Sequence, residues 1–86
     1  MNNQVGWLCI NQSFRIDDEP CSTKVWIPLE DVATIREPFP GEDVTPETES
    51  IVFQRTATGY ENWNCVEKPE ELLNRITVCS WMRRRC

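Results

Sequence analysis

Apolar and polar residues alternate along most of this chain, and the spacing changes from two to helical only near the end. From Val5 to Ile16 the alternation predicts a strand or hairpin. Val5, Trp7 and Cys9 share one face and Leu8 and Ile10 the other, and Asn11-Gln12-Ser13 reads as a turn before Phe14 and Ile16. Thr23 to Leu29 is a strand with Val25, Ile27 and Leu29 on one face and Trp26 on the other. Pro28 has no N–H to give a ladder, so it marks an edge or the strand's end. Leu29 to Val32 turns into a short strand at Ala33–Arg36, with Val32 and Ile35 as its core residues. Ile51–Arg55 and Tyr60–Val66 form a hairpin around Thr58-Gly59, where glycine permits positive φ. Ile51 and Phe53 face together and Val52 away, while Trp63 and Cys65 share a side.

Pro69 then opens a helix over about 69–82, since its missing N–H costs nothing in the first turn. Leu72, Leu73, Ile76 and Cys79 give it an apolar stripe, extended by Val78 or Met82. Glu70 and Glu71 lie in its first turn and arginines at its end, both matched to the helix dipole. Lys68 or Glu67 is the N-cap, a weak choice where Ser, Thr, Asp or Asn is preferred. The pattern predicts one α+β domain over residues 1–86: a small antiparallel β-sheet of four to five strands packed by one C-terminal α-helix. Residues 37–49, EPFPGEDVTPETE, hold three prolines and five acids and read as a long, mobile acidic loop. Residues 83–86 read as a basic tail.

Composition changes the picture in three places. A domain of 86 residues has a thin core, so four tryptophans matter to it. Trp7 and Trp63 are assigned to that core, and Trp26 and Trp81 to an interface. The net charge of −5 is segregated: residues 1–74 carry 14 acids and 5 bases, and the remaining bases are Arg75, Arg83, Arg84 and Arg85. An acidic body argues against general nucleic-acid binding, which needs basic patches, and suits a partner with a positive surface. No apolar run reaches membrane-spanning length and the N-terminus has no signal-peptide pattern, so the expected compartment is the cytoplasm. The five cysteines are scattered singly and are expected to be reduced.

The candidate chemistry is sparse. Without histidine the commonest general base and metal ligand is missing. No cysteine pair has zinc spacing, and Asp17-Asp18-Glu19-Pro20 lacks the ligand pattern of a calcium loop, so it reads as a solvated turn. Three glycines form no phosphate cradle. Glu61 is the one acid expected in a strand position facing burial. No catalytic residue, cofactor or metal is assigned, and the chain is not expected to be an enzyme. The candidate partner-binding residues are Trp26, Phe39, Glu42, Asp43, Glu47, Glu49, Trp81, Arg83, Arg84 and Arg85. Phe39, between Pro38 and Pro40, is either an anchor for a partner or folds back over the sheet, and the second is favoured for a lone loop aromatic.

The stretches WIPLEDVATI (26–35), Ser50-Ile-Val, Gly59-Tyr60 and VEKPEELLNRI (66–76) resemble the FlbD-type flagellar-operon proteins and similar short phage proteins. The shared pattern covers about half the chain and carries no catalytic residues. It implies a small sheet packed by a C-terminal helix and a role through binding. With the size and acidity it points to a phage-encoded inhibitor of a bacterial host or defence protein, of anti-CRISPR type. Residues 37–49 would then meet a basic nucleic-acid-binding surface. Two alternatives come from other classes. One is a homo-oligomeric sponge that sequesters a nucleotide-like signal; the other is single-stranded nucleic-acid binding through tryptophans and the arginine tail.

Overall fold

The computed structural model describes residues 6–76. Five strands are present: β1 (Trp7–Ile16), β2 (Glu19–Pro28), β3 (Val32–Arg36), β4 (Ser50–Thr56) and β5 (Gly59–Cys65). They form one antiparallel sheet in the order β2-β1-β5-β4-β3, packed by a helix, α1, over 69–76. The fold is therefore the expected α+β arrangement, with the sheet at its five-strand limit.

β2 and β3 are opposite edges of the sheet, yet only the 3-10 turn Leu29–Asp31 joins them. Four strand spacings in a flat sheet amount to about 19 Å. The four peptide steps from Pro28 to Val32 reach at most about 14 Å. The sheet must therefore curl until its edges approach, and Ile27 on the edge strand β2 is accordingly 0% exposed. The concave face holds the core, in which Leu8, Ile10, Ile27, Val52 and Cys65 pack with Leu72 of α1. Val25, Leu29, Val32, Ile35, Trp63 and Ile76 surround it, half-buried. Parity explains the set: Leu8 opposes Ile27, Ile10 opposes Val25, and Val52 opposes both Trp63 and Ile35.

Several expectations are corrected. Asn11-Gln12-Ser13 is no turn, because β1 runs through it in unbroken register with β2. The reversal comes at Asp17-Asp18, where both residues have positive φ (51° and 66°) and Ile16 pairs Glu19, a two-residue type I′ turn. β2 thus begins at Glu19 rather than Thr23. Trp7 is not core: period two sets it with Cys9 on the convex face, and it is 60% exposed. Trp63 is half-buried on the core side, its indole N–H donating to Gln54 Oε1 at 2.9 Å. Leu73 is exposed, because it lies about 100° around the helix from Leu72, whereas Ile76 is one turn on and packs inward. Glu61 is exposed. Lys68 is the N-cap residue: Glu71 Oε1 accepts its backbone N–H at 2.8 Å, one half of a capping box that needs no Ser or Thr. The helix beyond residue 76, with Val78, Cys79, Trp81, Met82 and Arg83 to Arg85, lies outside the described residues.

Candidate partner-binding surface

The convex face is built from Trp7, Cys9, Asn11, Ser13 and Arg15 on β1 and the matching positions of its neighbours. Residues 37–49 fold across part of it without regular structure. At one end, Arg36 on β3 forms a two-pronged pair with Glu42, Nη1 to Oε1 at 3.1 Å and Nη2 to Oε2 at 2.9 Å. At the other, Arg15 on β1 donates from Nε to Glu47 Oε1 at 3.2 Å and from Nη2 to Oε2. Between the pairs, Ser13 Oγ lies 2.7 Å from Thr45 Oγ1, which lies 2.8 Å from Thr48 Oγ1. Ile51 has convex parity, since it pairs with Arg36, and is only 2% exposed on this side of the sheet.

These contacts sort the acids of the loop. Hydrogen bonds from Arg36, and then from the Phe39 amide at 2.8 Å, hold the Glu42 carboxyl down at about 2. Arg15 lowers Glu47 in the same way. Both acids are thus committed to the chain's own arginines, while Asp43 and Glu49 are exposed. Phe39 lays one face of its ring on the Arg36 guanidinium of β3, 4.1 Å from the ring centroid, yet stays 63% exposed. Trp26 is 57% exposed, directly across from Cys9, with Trp7 opposite Pro28 beside it. Trp81, Arg83, Arg84 and Arg85 fall outside the described residues.

The buried carboxylate of this protein is one the sequence pattern did not single out. β1 pairs with β5 only at Gln12 and Cys65, where β5 ends, so among the described residues the first half of β1 has no strand on that side. Glu67, 5% exposed, takes the strand's place. Its Oε1 accepts the Asn11 amide at 3.0 Å, and its Oε2 accepts Asn11 Nδ2 at 2.7 Å and Arg75 Nη1 at 2.9 Å. Arg75 also donates to the Cys9 carbonyl at 2.7 Å. Burial alone would raise this carboxyl, but the hydrogen bonds from Asn11 and Arg75 outweigh it and hold it below the usual range. The cluster is fully satisfied and closes an open strand edge, which is a structural use rather than a catalytic one. Its sequence signal was faint: Glu67 and Arg75 stand eight residues apart, and Asn11 is remote from both.

Cys9, Cys21 and Cys65 are free thiols. Burial pushes Cys65 up to about 12. The neighbouring Ser50 hydroxyl opposes that shift, yet its buried oxygen makes no hydrogen bond. Among the described residues no group of three or more Cys, Asp or Glu side chains could hold a metal ion. No helix there is long and apolar enough to cross a membrane. An open cleft of about 350 Å³ lies between residues 37–49 and the start of α1, its charged lining being Glu37, Glu49, Glu70 and Lys68. Three carboxylates to one ammonium make it a poor seat for phosphate. In comparison with known proteins, the chain matches no family model, no curated protein and no solved structure.

Proposed function

We propose that this chain is a non-enzymatic binding module that sets a carboxylate-rich surface against a basic surface of a larger protein. The observation that carries the reading is the imbalance of exposed charge. Among the described residues Asp17, Asp18, Glu19, Glu30, Glu37, Asp43, Glu49, Glu61, Glu70 and Glu71 are exposed, against Lys24, Arg55 and Lys68 outside the ion pairs. Paired arginines add little to that field, because each is matched locally by a carboxylate. An anionic surface of this kind competes for sites that bind phosphate backbones. The specific form we favour is an inhibitor occupying the nucleic-acid channel of a bacterial host or defence protein, in the manner of phage-encoded anti-CRISPR proteins.

The test is capture from a bacterial lysate under reducing conditions, with bound proteins identified and rebound in purified form. The expected result is one dominant partner that is released as salt rises toward 1 M, where the Debye length falls to about 3 Å. The same partner should be displaced by nucleic acid. A partner retained at 1 M salt and indifferent to nucleic acid would overturn the electrostatic reading.

A further inference from the structure

The turn that carries Phe39 is fixed on every side but one. Phe39, Pro40, Gly41 and Glu42 form a type II turn, closed by the Glu42 N–H donating to the Phe39 carbonyl at 3.0 Å. Pro40 supplies its fixed φ and Gly41 takes the φ of +84° that this turn requires at its third residue. The Phe39 N–H donates to Glu42 Oε1 at 2.8 Å, so one side chain grips the turn from within. Beneath the ring, the Arg36 guanidinium carbon lies 4.1 Å from the Phe39 centroid and 5.3 Å from that of Phe53. Arg36 is held in turn by Glu42 and by the Glu37 carbonyl at 3.0 Å. An apolar ring is thus presented to solvent, 63% exposed, on a backbone already ordered by two prolines, a turn and an ion pair.

Exposed aromatics elsewhere among the described residues lack this setting. Trp26 shares its face of β2 with Lys24, whereas Phe39 is flanked by exposed Glu37 and Asp43. The acid-lined cleft opens beside Pro38, adding Glu49 and Glu70 to the same side of the molecule. An apolar centre with an anionic rim is complementary to an apolar pocket with a cationic rim. Since the ordering cost has been met within the free protein, most of the gain from burying the ring appears as affinity.

We propose that Phe39 is the anchor by which the chain enters an apolar pocket rimmed by lysine or arginine on its protein partner. This rests on the reading of the chain as a module for a basic protein surface. The experiment measures the dissociation constant of the purified partner, first isolated on the wild-type chain, for wild type, F39A, F39L and Y60A, since Tyr60 is an equally exposed aromatic at 65%. Circular dichroism and thermal unfolding confirm that each variant is folded, which the exposure of both side chains favours. F39A is expected to weaken binding roughly tenfold or more, F39L to restore much of it, and Y60A to change it less than about twofold. The salt dependence of the residual F39A binding should stay as steep as in wild type, because the carboxylates are intact. Unchanged affinity in folded F39A, with wild-type binding still salt-labile, overturns the anchor and leaves the electrostatic reading standing. Absence of any salt-labile partner overturns that reading, and the anchor with it.

Discussion

Glu42 shows how one side chain can organise a loop that its composition describes as a polar, proline-broken connection. Its carboxylate serves the Arg36 guanidinium and the Phe39 amide together, and its carboxyl falls from an ordinary 4.5 to about 2. A depressed folded value means that the contribution is present above about pH 4.5 and is lost as pH falls toward 2. The Phe39 amide resonance should therefore hold steady on acidification through 4.5 and move with a midpoint near 2, and E42Q should lack that transition. A midpoint at 4.5 in the wild type would mean a solvated, unpaired carboxylate. Cys65 offers a second residue-scale check. Its buried thiol, pushed up to about 12, should react with iodoacetamide at pH 8 at least roughly tenfold more slowly than half-buried Cys21. Mapping the alkylated peptides by mass spectrometry gives the two rates, and unfolding in urea should bring them together.

At the scale of elements, two joints depend on chemistry that the alternation pattern does not describe. The β1–β2 hairpin turns on two aspartates at positive φ, a region that costs an L-residue energy and that glycine enters freely. D18G is expected to raise unfolding stability by about 0.5–1 kcal/mol in urea titration. A loss of stability would mean that Asp18 makes a compensating interaction in solution. The junction of β5 and α1 depends on Glu67, which stands in for a missing strand beside Cys9 and Asn11. E67A leaves the Asn11 N–H without an acceptor and Arg75 without its anion, so about 1–3 kcal/mol of stability should be lost. E67Q, which keeps an acceptor oxygen, should recover part of that loss. Equal stability of E67A and wild type would show that water replaces the carboxylate without cost.

For the whole molecule, curling divides the apolar residues into those enclosed and those left outside. Ile10 lies inside at 0% exposure and Trp7 outside at 60%, although both belong to one strand of a thin-cored domain. I10A should therefore cost about 2–5 kcal/mol, much of the roughly 4–13 kcal/mol available to a chain of this size. W7S should stay within about 0.5 kcal/mol of wild type in the same urea titration. A large loss in W7S would place that indole in the core after all.

The periodicity of the chain by itself determined a sheet of four to five strands, the C-terminal helix opened at Pro69 and the parity of nearly every apolar position, because these follow from side-chain geometry along a local backbone. It also marked residues 37–49 as irregular and Trp26 as outward-facing. Only the tertiary structure decided which face was enclosed: the short Leu29–Asp31 link forces the two sheet edges together, and a distance constraint between remote strands has no local signature. For the same reason Trp7 was placed on the wrong side, since two apolar faces of one strand look alike until the curl selects one. Polar residues were misread where their partners are distant. Asn11 and Ser13 looked like a turn because their side chains compete with a ladder, yet here Glu67 and Thr45, 56 and 32 residues away, satisfy them within the strand. Phe39 was recognised in the sequence as an anchor candidate, but its exposure depends on Arg36 and Glu42 meeting beneath it, and that meeting exists only in the folded chain.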